Sequence, residues 1–99
     1  MKSDMRINQE KISFLKQQIS EIDPGSNLYL FGSRVDDKLK GGDIDILILS
    51  NQRIPLAQLR SIKIAFYKRF GIQKLDLVNR LFSDQDSFKK LILLDSVEL

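Results

Sequence analysis

The 99-residue chain contains no cysteine and no histidine. Without thiols there can be no disulfide framework, thiolate metal centre or thiol redox couple. Without imidazole, Ser-His-Asp hydrolysis, imidazole zinc sites and histidine proton shuttles are excluded as well. Any catalysis must therefore use carboxylates, hydroxyls, lysines, arginines or a metal ion held by oxygen. Long apolar runs are also missing: the stretch that ends at Leu49 falls far short of the roughly 20 residues of a membrane span. The opening Met-Lys-Ser-Asp-Met-Arg has no apolar signal-peptide core. These absences predict a soluble cytoplasmic domain that does not engage membranes.

With 42% hydrophobic and 29% charged residues, five glycines and two prolines, the chain suits a compact core rather than a disordered tail. Its length is that of one small domain spanning residues 1–99, which buries roughly 60–65% of the surface its unfolded form exposes. Sixteen Lys plus Arg against thirteen Asp plus Glu give a formal charge of +3, which permits nucleic-acid or nucleotide contact without requiring it.

Periodicity predicts a helix over about 5–22, with Ile12, Leu15, Ile19 and Ile22 on one face. Asp23-Pro24-Gly25 should stop it. Strands are expected at Asn27 to Phe31, Asp43 to Leu49 and Lys74 to Val78. Between the first two lies a polar loop, over 34–42, with room for one helical turn. Pro55 suits the start of a helix reaching about Phe70, whose inner face is Leu59, Ile62, Phe66 and Phe70 and which Gly71 ends. A last helix is expected from Ser83 as N-cap, with Phe88, Leu91 and Ile92 turned to the core. Its Leu93 and Leu94 are more apolar than one buried face requires, which suggests a covering partner or a homodimer. Val97 to Leu99 would add a short strand or dock. The expected fold is α+β, a small mixed sheet of three or more strands packed with helices.

Three aspartates sit where strand physics would not choose them. Aspartate is depleted in strands, yet Asp43, Asp45 and Asp76 are embedded among Ile, Leu and Val. Side chains alternate along a strand, so Asp43 and Asp45 share one face, roughly 6.5–7 Å apart, while Ile44, Ile46 and Ile48 take the other. Asp76 likewise opposes Leu75 and Leu77. If the two strands are neighbours, all three carboxylates meet on one face. Such a cluster needs a compensating cation, and Mg²⁺ prefers these hard oxygen ligands. An isolated Asp-X-Asp is usually only a solvated strand start. Here, however, Gly32-Ser33-Arg34 follows a strand: glycine allows close backbone approach, Ser33 offers a hydroxyl donor and Arg34 a charge-assisted contact to phosphate.

Phe31-Gly32-Ser33-Arg34, Gly42-Asp43-Ile44-Asp45-Ile46 and Leu75-Asp76-Leu77 together resemble the minimal nucleotidyltransferases of the DNA polymerase β superfamily, over about residues 10–95. Nine residues separate Ser33 from Asp43, one fewer than in many stand-alone members. The resemblance implies transfer of a nucleoside monophosphate, AMP from ATP, to an acceptor hydroxyl with loss of pyrophosphate. It implies two Mg²⁺ ions held by Asp43, Asp45 and Asp76, with Asp76 also orienting or deprotonating the acceptor. Gly32, Ser33 and Arg34 would then bind the nucleotide. Short members of this kind resemble the antitoxins paired with HEPN ribonuclease toxins, so the implied partner is a HEPN-domain protein that the chain binds, AMPylates or both.

Two rival readings stand beside this one. In the first, a protein of the same fold silences a partner by binding alone. In the second, an RNA-binding module uses Arg60, Lys63, Lys68, Arg69 and Lys74, residues that read more readily as the solvated side of a helix. Tyr29, Phe66, Tyr67 and Phe70 could stack on a base, although the spacing of Phe66 and Phe70 also fits a core.

Overall fold

A computed structural model describes residues 7–32 and 44–99. The elements run α1 (Gln9–Ser20), β1 (Asn27–Phe31), β2 (Ile44–Ser50), α2 (Leu56–Phe70), β3 (Leu75–Leu81), α3 (Ser87–Leu94) and β4 (Val97–Glu98). The sheet order is β3-β2-β1-β4, with β1 antiparallel to β2 and β4, and β2 parallel to β3. The parallel pair requires a crossover, which α2 supplies. This is the α+β architecture expected from the sequence, with the closing segment adding a real strand. No helix among the described residues is long and apolar enough to cross a membrane.

The alternation of side chains splits the interior into two layers. Leu28 and Leu30 of β1, Ile44, Ile46 and Ile48 of β2, and Leu75 of β3 face α1 and α2, where Ile12, Leu15, Ile19, Leu59, Ile62 and Phe66 complete the larger core. Phe70 packs on this core from its margin, its ring 5.0 Å from that of Phe66. The opposite sheet face is covered only in part: Leu47 and Leu49 meet Ile92 of α3, with Tyr29, Phe31, Val78 and Leu93 at the rim.

Several boundaries differ from expectation. Helix α1 is shorter, because Asn8 caps it by accepting a 2.9 Å hydrogen bond from Lys11 N and the chain turns after Ser20. Strand β3 runs on to Leu81, paired with β2 along its whole length. Helix α3 begins after Asp86, not Ser83. Residues 82–86 are held as a turn instead, since Asp84 Oδ2 accepts from Leu81 N at 2.8 Å and Asp86 accepts from Lys89 N. The later start turns Lys89 and Ile92 inward, so Phe88 (47% exposed) and Leu91 (64%) are not core residues. Leu94 is exposed and Leu93 is half-buried.

Asp23, at the turn after α1, ties the far end of the sheet together. Its carboxylate accepts from Asn51 N at 2.6 Å, Gln52 N at 3.2 Å and Gly25 N at 3.2 Å. Desolvation pushes the Asp23 carboxyl up, but these hydrogen bonds more than offset it and hold the pKa below the ordinary value.

Candidate functional site

The site is built where β1 ends and where β2 and β3 begin. Parallel registration sets Asp45 directly beside Asp76, on adjacent strands about 4.8 Å apart. Both residues occupy the α3 side of the sheet, opposite the row Ile44, Ile46 and Ile48, and both are half-buried. Helix α3 covers Leu47 and Leu49 farther along β2, which leaves the aspartates beyond its cover.

The third wall is Gly32. Antiparallel registration pairs Phe31 with Asp45, so the residue after Phe31 leaves the sheet beside the Asp45 carboxylate. Gly32 adopts φ +84°, the left-handed region that a side chain disfavours. A Cβ there would fall onto the Asp45 carboxylate, with its Cγ 3.0 Å away. Backbone and carboxylate thus come as close as glycine permits, and the close approach is to the chain's own Asp45.

Of the residues singled out from sequence, Gly32, Asp45 and Asp76 are brought together at one end of one sheet face. Ser33, Arg34 and Asp43 lie outside the described residues, as does the stretch 34–42 expected to form a loop. Among the described residues no group of three acidic side chains forms a metal cage. The pair Asp45 and Asp76 has the hard-oxygen chemistry that suits Mg²⁺, and the space beside Gly32 is filled by the Asp45 carboxylate.

Two positioning residues were not found from sequence. Asn79, buried on β3, donates from Nδ2 to Ile48 O (3.0 Å) and Ser50 Oγ (2.9 Å), and its Oδ1 accepts from Ile54 N (2.8 Å). It fixes β3 against β2 and against the lead into α2, and thereby the register that sets Asp76 beside Asp45. An amide within an apolar strand was the available signal. Lys89 is buried with its ammonium donating to the carbonyls of Leu81 (3.1 Å), Phe82 (2.6 Å) and Asp84 (2.9 Å), which uses all three of its protons. Nothing in its sequence spacing announces that role.

Residues 12–98 match the nucleotidyltransferase domain family. No curated protein matches the chain. Among solved structures, the chain is similar to a complex of a tri-AMPylated Shewanella oneidensis HEPN toxin with its MNT antitoxin. That match has TM-score 0.66 and 17% identity, and covers 93% of this chain and 71% of the other. It is similar also to a mutant of the toxin–antitoxin pair MntA–HpeT, with TM-score 0.66, 22% identity and coverage of 94% and 71%. A further Shewanella oneidensis structure aligns with TM-score 0.58 and 14% identity, over 93% and 71% of the two chains. At these identities the likeness is one of fold, and it is the polymerase-β-like fold expected above.

Proposed function

The chain belongs to the nucleotidyltransferase domain family, and we propose that it transfers AMP from ATP to an acceptor hydroxyl on a HEPN-domain toxin, acting in the cytoplasm as the antitoxin of that pair. The observation that carries the reading is the registration of Asp45 beside Asp76 at the sheet end bounded by Gly32. The partner is suggested by the structural relatives, an AMPylated HEPN toxin with an MNT antitoxin among them.

In this reading Gly32 and Ser33 receive the triphosphate through backbone N–H and hydroxyl donors, and Arg34 adds a charge-assisted contact. Asp43, Asp45 and Asp76 would hold Mg²⁺, as two ions. Ions held there would supply Lewis-acid neutralisation of the phosphate charge and of the pyrophosphate leaving group. Asp76 orients the acceptor hydroxyl and takes its proton as the oxygen attacks the α-phosphorus. A new oxygen–phosphorus bond forms, the bond from the α-phosphorus to the bridging oxygen breaks, and pyrophosphate carries away the electron pair.

The test is label transfer from α-labelled ATP with Mg²⁺ to a co-purified HEPN partner. Wild-type protein should label the partner, and Asp45→Asn and Asp76→Asn should abolish labelling with the fold intact by circular dichroism. Full labelling by either variant would overturn the metal assignment. Neutralisation of the partner with no label at any nucleotide would instead leave a binding antitoxin.

A further inference from the structure

The 30 residues from Ile46 to Leu75 contain six basic residues and no acidic one, in a chain otherwise well supplied with carboxylates. Four of the six, Arg60, Lys63, Lys68 and Arg69, lie on α2. The helix turns Leu59, Ile62 and Phe66 to the core. Its outer side carries Leu56, Arg60, Ile64 and Lys68 at successive four-residue steps, which places them in one slightly slanted row. Ile72 projects from the turn just beyond. Leu56 is 72% exposed, Ile64 49% and Ile72 94%. Leu56 and Ile64 are thus large aliphatic side chains in water with the Arg60 cation between them, and Ile72 is a third just past the helix end.

The cations are available. Arg53, Arg69 and Arg80 pair with Asp84, Glu10 and Asp86, whereas Arg60, Lys63 and Lys68 make no ion pair among the described residues. A solvated helix face needs the charges but has no use for the aliphatic side chains between them. We propose that the outer row of α2 is a docking surface for an acidic amphipathic helix of a partner protein. Leu56 and Ile64 stand about 12 Å apart along the axis, with Arg60 midway. A facing helix with apolar residues at the same repeat and glutamates or aspartates between them would bury the aliphatics and pair Arg60 and Lys68 together.

The pattern itself selects this occupant. A second copy of the same row would set cation against cation. An anionic bilayer would have to take Arg60 and Lys68 into the apolar layer with Leu56 and Ile64, since all four share one line. Single-stranded RNA is gripped by aromatic stacking, and the row holds no aromatic side chain. The surface lies on the sheet face opposite Asp45 and Asp76, so a partner held there leaves that site open and its binding does not depend on the nucleotide chemistry.

The test uses the whole chain without nucleotide or metal, and fluorescence anisotropy of four labelled probes. The first is a synthetic helix of about 20 residues with leucines and glutamates in the matching repeat. The others are the same helix with serine for leucine, an oligoadenylate RNA, and vesicles containing phosphatidylserine. The leucine–glutamate helix should bind at least about tenfold more tightly than each of the others. That advantage should be lost in Leu56→Ser/Ile64→Ser and in Arg60→Glu/Lys68→Glu, both at exposed positions and both checked for an unchanged thermal transition. Asp45→Asn/Asp76→Asn should bind as the wild type does. RNA or vesicles binding more tightly than the helix, or helix binding indifferent to the α2 substitutions, overturns the proposal. Loss of helix binding in the aspartate variant would move the contact to the other face and also overturn it, whatever the outcome of the transfer assay.

Discussion

Gly32→Ala perturbs the candidate site with a single methyl group, and Gly71→Ala supplies its control. Both glycines have positive φ, +84° and +92°. Placing an alanine at positive φ costs on the order of 1–3 kcal/mol, and Gly71, at ψ 171°, sits in the extended positive-φ region that is essentially glycine's alone. For a domain of this size that corresponds to a melting-temperature drop on the order of 5–25 °C. The two sites differ in what the new methyl meets. At Gly71 nothing lies within 4 Å, so the backbone cost is the whole effect. At Gly32 the methyl falls onto the carboxylate of Asp45, which must rotate away from the position it shares with Asp76. Urea denaturation should therefore show a loss from backbone conformation alone in Gly71→Ala, and in Gly32→Ala a loss that also includes displacement of the Asp45 carboxylate. Label transfer from ATP should fall by orders of magnitude in Gly32→Ala and remain near wild type in Gly71→Ala, measured well below either melting transition. The rise in melting temperature on adding Mg²⁺ should vanish in Gly32→Ala alone. Full transfer by Gly32→Ala, or equal loss in Gly71→Ala, would refute the reasoning that this glycine exists to admit the carboxylate.

The remaining expectations concern stability. Asn79→Leu leaves the Ile54 N–H without its buried acceptor, which costs about 1–3 kcal/mol by denaturant titration; a loss below experimental error would show that the amide is dispensable. Phe66→Ala, at a fully buried ring, should cost roughly 3–5 kcal/mol on the same assay. The pKa of Asp23 is depressed on folding, and that of Asp86 is too: burial raises it, but the Arg80 hydrogen bond, the Lys89 N–H and the Arg80 charge lower it further. A carboxyl with a depressed folded pKa stabilises the protein above its unfolded value near 3.8, and the gain is lost as pH falls through the lower folded value. The midpoint of urea unfolding should thus hold between pH 7 and about 5 and decline below about 4. The decline should be shallower in Asp23→Asn, which begins from a lower plateau.

Much of the fold was legible from local pattern. The two-residue alternation in Asp43 to Leu49 assigned Ile44, Ile46 and Ile48 to one side and Asp45 to the other, because a strand has no other way to arrange its side chains. Leu59, Ile62 and Phe66 declared the inner face of α2 by their spacing, and the bounds of β1 followed from the apolar run between Gly25 and Gly32. Helix α3 was misjudged because its start depends on contacts that no local pattern encodes. Lys89 reaches back to three carbonyls, and Asp84 closes on Leu81, so the turn persists to Asp86 and the helix rotates. The same division holds at the site. Sequence chose the residue types: two carboxylates among aliphatics and a glycine at a strand end. Their meeting depended on β3 returning parallel to β2 in the one register that aligns Asp76 with Asp45, and on β1 delivering Gly32 to the same corner. A slip of one residue would have turned Asp76 to the opposite face, and local propensity does not forbid that slip. It is opposed by burial of Leu75 in the larger core and by the buried bonds of Asn79, contacts between residues distant in the chain.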